Sequence, residues 1–206
     1  MILKQAKFTT FDAPRIHGNT SNSNQSGTMH LFRRTRGDGD TTALYDSIVA
    51  QARMPEFYVS CEVPDTVDGR FDMIALHAFM VLRRIKDQHR DTAQALLEVI
   101  FDDMDRSLRE MGAGDLGVGR RIKAMATALY GRINAYEEAL EVSEEALADA
   151  LRRNLYGTID PDPGSVATMA AYVRTVVTTL ENQTPQNIST GNVSFGPPPG
   201  DGQRVN

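Results

Sequence analysis

Between residues 41 and 182 the apolar side chains recur every three or four positions, and this spacing limits what the chain can fold into. It places them along one face of an α-helix, whereas a half-buried strand would need strict alternation. No alternating segment in this range is longer than a few residues. The sequence therefore predicts an all-α fold, in which residues 41–182 form one compact bundle of about six helices.

Local signals predict where these helices begin and end. A first helix should start at Thr41 or Thr42 and stop before Pro55. The stretch from Phe71 to about Lys86 is apolar almost all round, which is typical of a central buried helix. Four more helices are expected, from about Thr92 to Met111, about Val118 to Leu140, Ser143 to a stop at Gly157, and a cap at Ser165 to Leu180.

The two ends of the chain differ in composition from this body. Residues 1–40 carry six basic and three acidic side chains, whereas residues 41–182 carry 15 basic and 23 acidic ones. We interpret 1–40 as a disordered basic leader and 183–206 as a disordered tail, because polar, Gly- and Asn-rich runs cannot form a core. Met29 allows an alternative in which translation starts there and 1–28 is an extension.

Composition also excludes several classes of function. A single cysteine, Cys61, rules out an internal disulfide and a zinc site of four thiolates. The net charge of -5 argues against general binding to nucleic acid. No run reaches the roughly 18 apolar residues of a membrane-spanning helix, and residues 1–18 lack the apolar core of a secretory signal. We expect a protein of a reducing compartment without sequence-specific contacts to nucleic acid.

A glycine motif at residues 112–117 has a simple structural interpretation. Gly112, Gly114 and Gly117 form GxGxxG, but an amphipathic helix precedes them where a dinucleotide site needs a buried strand. We interpret the motif as a helix stop followed by a turn.

An acidic helix face is the next candidate for chemistry. Glu98, Asp102 and Asp105 share this face, but the chain has no Glu-x-x-His pairs of the kind that hold metals in helical bundles. We expect ion pairs with Arg106 and Arg109 and no metal site.

His77 and Cys61 complete the search for catalytic groups. His77 lies in the most apolar helix, so we expect a hydrogen-bonded core group; catalysis would need a partner such as Glu98 or Asp102. Cys61 has no basic neighbour and is predicted to be a small buried side chain. We expect no enzymatic activity and no cofactor.

Residues 54–72, MPEFYVSCEVPDTVDGRFD, form the most unusual segment. Loops longer than about 12–15 residues tend to be functional, packed in place, or both. We expect an irregular belt across the bundle with Phe57 and Val59 on the core, or an exposed aromatic and acidic surface for a partner. The candidate contact residues are Phe57, Tyr58, Asp65, Asp68 and Arg70.

Residues 44–85 and 101–140 resemble the ubiquinol-cytochrome c chaperone family. The similarity rests on FYV at 57–59, PDTVDGRFD at 64–72, LH at 76–77, FDDMDRSLREMG at 101–112, GDLGVGRRIK at 114–123 and YGR at 130–132. The resemblance implies a helical, non-enzymatic assembly factor of respiratory complex III that receives newly made cytochrome b. The absence of a convincing transit peptide favours an alphaproteobacterial member.

From this resemblance we predict a chaperone at the inner face of the cytoplasmic membrane, with cytochrome b or another complex III subunit as its partner. Arg33, Arg34 and Arg36 are predicted to contact anionic lipid or the ribosome. A further partner surface is expected at Arg120, Arg121 and Lys123. The alternative is a helical accessory protein that binds a lipid or a quinone in an apolar pocket.

Overall fold

The computed structural model describes residues 36–110 and 115–200, and this part of the chain is helical and contains no strand. Six long helices match the six predicted ones, and the described residues contain two further short helices. The all-α prediction is confirmed. The helices are α1 (Arg36–Ala52), α2 (Glu56–Val59), α3 (Val67–Ile85), α4 (Arg90–Glu110), α5 (Asp115–Val142), α6 (Glu144–Asn154), α7 (Pro163–Glu181) and α8 (Pro185–Ser189).

Helix α3 is the centre of the bundle. Every residue from Asp72 to Leu82 is buried, and the helix contacts α1, α4, α5, α7 and α8. Arg132 pairs with Asp72 near the start of α3, and Glu141 pairs with Arg83 near its end. Helix α5 therefore runs in the same direction as α3, and the two ends of α3 lie about 28 Å apart.

In the described residues, polar side chains at the start of four helices accept bonds from free backbone N–H groups, namely those of Thr66, Ser143, Asp162 and Thr184. The Thr66 hydroxyl accepts from Gly69 N at 3.1 Å, and the Ser143 hydroxyl accepts from Ala146 N at 3.1 Å, as the sequence predicts for Ser143. The predicted cap at Ser165 is wrong. Asp162 caps α7 instead, because its carboxylate reaches Gly164 N at 2.8 Å.

Several helices begin before the positions that the sequence predicts. Helix α1 starts at Arg36, so residues 36–40 belong to the bundle and not to the leader; residues 1–35 lie outside the described part. The Asp68-Gly69 pair does not form a turn, because the Thr66 cap starts α3 ahead of it. Gly117 is helical within α5, while Gly112 and Gly114 lie outside the described residues. One glycine costs a helix only about 1 kcal/mol, which packing can offset.

The predicted disordered tail is wrong for residues 183–200. Ile188 in α8 is fully buried and Phe195 is 5% exposed. The Gln183 side chain donates to Ser194 O at 2.7 Å and accepts from Ser194 N at 2.9 Å. Two isolated apolar side chains thus anchor a polar segment that composition alone does not distinguish from a disordered one. Residues 201–206 lie outside the described part.

Candidate functional site

Three of the four large apolar side chains that are exposed in the described residues lie around α2 and the loops beside it. Val59 is 76% exposed, Val67 67% and Ile159 44%; the fourth, Val142, is 74% exposed at the end of α5. Tyr58 is half-buried next to Val59. We call Tyr58, Val59, Val67 and Ile159 the α2 surface.

The α2 surface is formed by two loops that hydrogen bonds hold together. The Glu62 carboxylate accepts from Asp162 N at 2.8 Å, and the Tyr156 hydroxyl donates to Cys61 O at 2.7 Å. Glu62 has a φ of 56°, which is costly for a residue with a side chain. The loop between α2 and α3 is therefore fixed against the loop between α6 and α7. Cys61 is buried, as predicted.

A charged pair borders this surface. Arg70 Nε donates to Asp65 Oδ1 at 2.6 Å, and this bond lowers the pKa of Asp65 and raises the pKa of Arg70. Burial raises the pKa of Tyr58, an effect that the nearby Arg70 charge opposes and the Asp65 charge reinforces. The Tyr58 hydroxyl donates to Ala52 O at 2.7 Å. Asp68 is exposed on the first turn of α3.

The structure corrects the roles of Phe57 and Val59. Phe57 is fully buried, with its ring centroid 5.5 Å from His77 and 5.0 Å from Tyr172. Its expected contact with the core is confirmed, and its ring is therefore not exposed to a partner. Val59 was expected on the core but faces solvent. A single helical turn in α2 points these two residues to opposite sides, and Tyr58 is the member of the aromatic pair that reaches the surface.

His77 is a satisfied core group, as the sequence predicts. Its Nδ1 donates to Met73 O at 2.8 Å, so its Nε2 accepts from the Tyr172 hydroxyl, also at 2.8 Å. Gln51 Nε2 donates to the same hydroxyl at 3.0 Å. Burial lowers the pKa of His77 to about 4. Both ring nitrogens are engaged by these partners, and neither Glu98 nor Asp102 is one of them.

This burial predicts a pH dependence of stability. Below about pH 6.5 the unfolded chain takes up a proton that the folded His77 does not accept until about pH 4. Although Asp72, whose pKa is raised to about 6, acts in the opposite direction, His77 by itself lowers the free energy of unfolding by roughly 3 kcal/mol as the pH falls across that window. In His77→Gln this loss should disappear, as measured by urea denaturation at several pH values. Equal slopes for wild type and His77→Gln would contradict the assignment.

An internal ion pair joins two of the sequence motifs. Arg132 Nη2 lies 2.8 Å from Asp72 Oδ1, which links the end of PDTVDGRFD to the end of YGR. Burial raises the pKa of Asp72 to about 6, although the Arg132 charge opposes this. Sequence reasoning missed the pair. A carboxylate in an almost wholly apolar helix was the available signal, because buried charges need partners.

The predicted basic surface lies on another part of the bundle. Arg120, Arg121 and Lys123 are exposed on α5, about 14–18 Å along the helix from Arg132. This part of α5 packs against the end of α4, where Leu108 meets Ile122. Arg36 is the first residue of α1, and Arg33 and Arg34 lie outside the described residues.

The acidic face of α4 forms ion pairs of the kind that the sequence predicts. Arg109 Nε lies 2.7 Å from Asp105, and Arg106 Nη1 lies 3.7 Å from Asp103, which also accepts from Tyr45. Within residues 36–110 and 115–200, no three His, Cys, Asp or Glu side chains are arranged to hold a metal ion.

A groove of about 400 Å³ runs between α1 and residues 193–196. It is open to solvent, and Gln51 Nε2 donates across it to Gly196 O at 3.1 Å. It therefore differs from the enclosed apolar pocket expected of a lipid or quinone site.

A search of the described helices for a stretch with the length and hydropathy of a membrane span finds none.

The fold is an all-α bundle in which exposed apolar side chains lie beside charged loops. Residues 59–195 match the model of the ubiquinol-cytochrome C chaperone family, and the chain belongs to this family. The resemblance seen in the sequence is thereby confirmed.

Individual relatives agree with this assignment. The chain is 27% identical over 158 residues to the human ubiquinol-cytochrome c reductase complex assembly factor 1, covering 75% of this chain and 53% of that protein. It is 26% identical over 149 residues to yeast Protein CBP3, mitochondrial, covering 69% and 44%. The chain thus spans about half the length of these curated relatives.

A solved structure is also similar. The crystal structure of the Cbp3 homolog from Brucella abortus superposes with a TM-score of 0.71 at 36% sequence identity. The match covers 81% of this chain and 95% of that one.

Proposed function

We propose that the protein is an assembly chaperone of ubiquinol-cytochrome c reductase, respiratory complex III, and that it binds newly made cytochrome b. Membership of the ubiquinol-cytochrome C chaperone family supports the assignment to complex III. Relatives that are named assembly factors of that reductase support it as well. The single structural observation that supports the proposal is the α2 surface, where apolar side chains are exposed to solvent.

The α2 surface can bind a client without rearranging the bundle. Val59 and Val67 each stabilise a complex by about 1.5 kcal/mol when a partner covers them fully. Because the Glu62 and Tyr156 hydrogen bonds hold both loops in place, little ordering entropy is lost on binding. Asp65, Asp68 and Arg70 border the apolar side chains and orient the client. The role is binding and release, with no catalytic step.

The proposal places the protein in the cytoplasm, peripheral to the inner face of the membrane where complex III is assembled. Arg33, Arg34 and Arg36 attract anionic lipid or the ribosome, and Arg120, Arg121 and Lys123 attract an acidic partner surface. The lipid- or quinone-binding alternative lacks a supporting observation, because the groove beside Gln51 is open and partly polar.

A strain that carries Val59→Asp and Val67→Asp together tests this function. We expect its assembled complex III to fall to the level of a strain lacking the protein, because two carboxylates on the apolar surface repel an apolar client. Assembled complex is measured on native gels, and cytochrome b by co-purification with the tagged protein. Val142→Asp, at an equally exposed valine, is the matched control and should behave as wild type.

The possible outcomes test the chaperone function and the assignment of the binding surface separately. A strain without the protein that still assembles normal amounts of complex III would refute the chaperone function. If that strain fails but the double variant folds and assembles complex III normally, the client binds elsewhere on the bundle.

A further inference from the structure

The charge around the α2 surface is strongly acidic. Residues 53–72 carry five carboxylates and two guanidinium groups, and residues 156–165 carry two carboxylates and no basic side chain. The exposed Arg70 neutralises Asp65, and Arg132 neutralises the buried Asp72. The acidic side chains that remain outnumber the one basic side chain left in these segments, Arg53.

Two of the remaining carboxylates directly follow exposed apolar side chains in the sequence. Asp68 follows Val67 and Asp160 follows Ile159, and all four residues are exposed. Glu62 is also exposed, and its carboxylate accepts a neutral backbone N–H, which leaves its negative charge uncompensated. A partner that covers the apolar side chains therefore meets negative charge at their edges.

This pattern is complementary to one kind of segment. The cytoplasmic ends of transmembrane helices combine apolar side chains with Lys and Arg immediately beside them. We propose that the α2 surface binds the positively flanked end of a transmembrane helix of its client. The apolar end covers Val59, Val67 and Ile159, and the flanking Lys or Arg side chains lie against Asp68 and Asp160. The inference rests on the proposed function, since it specifies which part of a newly made membrane subunit is recognised.

The carboxylates beside the exposed apolar side chains affect which segment binds more than they affect how tightly it binds. Exposed ion pairs contribute little individually and are screened by salt, while like charges held together oppose binding. A segment with basic flanks gains from this edge, and one with acidic flanks is repelled. We expect the difference in affinity to be about tenfold at low ionic strength. It should shrink as salt is added.

Three synthetic peptides test the proposal with the full chain. They share one apolar helical core and carry flanks of lysine, serine or glutamate; binding is measured by fluorescence anisotropy. The lysine peptide should bind about tenfold more tightly than the glutamate peptide. The variant Asp68→Asn with Asp160→Asn should reduce that preference about threefold or more and leave the serine peptide unaffected. The matched control, Glu138→Gln with Glu144→Gln, neutralises two exposed carboxylates near Val142. This control should keep the full preference for the lysine peptide.

Each other result overturns the inference. Equal binding of all three peptides, or no binding of any, would show that flanking charge is not recognised here. A preference that falls by less than about threefold in Asp68→Asn with Asp160→Asn would place its origin elsewhere. These failures are distinguishable from failure of the chaperone function, because loss of cytochrome b from the Val59→Asp and Val67→Asp strain would stand independently of them.

Discussion

Gly69→Ala is expected to lower the free energy of unfolding by about 3 kcal/mol or more. A Cβ atom at this position would lie 2.0 Å from Pro64 O and 3.0 Å from Pro64 C. Both are backbone atoms, so relief requires the loop between α2 and α3 to move away from α3. Alanine favours a helix over glycine by only about 1 kcal/mol, so the clash decides the outcome.

Gly131→Ala is the matched control for this substitution. Gly131 also lies within a helix, but a Cβ there would meet nothing within 4 Å. It should raise stability by up to about 1 kcal/mol. Urea denaturation followed by far-UV circular dichroism suits both variants, because the chain contains no tryptophan to report by fluorescence. A Gly69→Ala protein as stable as wild type would show that the loop yields to the clash easily.

Arg132→Met is expected to destabilise the protein by about 3 kcal/mol at pH 7. At that pH Asp72, whose pKa is about 6, is ionised, and the substitution leaves its buried carboxylate without the guanidinium 2.8 Å away. Near pH 5 the folded state can keep Asp72 protonated, so the loss should be smaller. The free energy of unfolding is measured at both pH values by urea denaturation.

Two further variants show whether charge is the cause. Arg70→Met breaks an exposed pair with Asp65 and should change the stability much less than Arg132→Met does, because solvent screens exposed charges. Asp72→Asn combined with Arg132→Met removes the stranded charge and should recover part of the loss. An equal loss for Arg132→Met at both pH values would assign the effect to packing.

Much of the fold is predictable from the sequence because helical burial leaves a periodic signal. The long apolar run of α3 and the cap at Ser143 both identify elements that the structure contains. The prediction fails where burial depends on one or two side chains. Ile188 and Phe195 anchor residues 183–200, yet two apolar residues in a polar segment give no periodicity.

The candidate site was likewise predictable only in part from the sequence. The unusual composition of residues 54–72 correctly draws attention to this region, but it does not say which side chains face solvent. Val59 was expected on the core beside Phe57 but faces solvent, because α2 has only four residues, too few to set a pattern. Ile159 could not be assigned to the surface from the sequence, since its loop is brought there by hydrogen bonds between residues far apart in the chain, from Asp162 to Glu62 and from Tyr156 to Cys61.

The sequence by itself determines that this chain is an all-α bundle around one apolar helix, with family motifs in residues 44–85 and 101–140. Helix periodicity and capping depend on neighbours a few positions away, so they can be read from the chain. Only the tertiary structure decides that Asp72 meets Arg132, that His77 meets Tyr172, and that the loop of Glu62 lies against the loop of Asp162. Those contacts join residues far apart in the chain, and their partners are selected by packing, which local sequence does not encode.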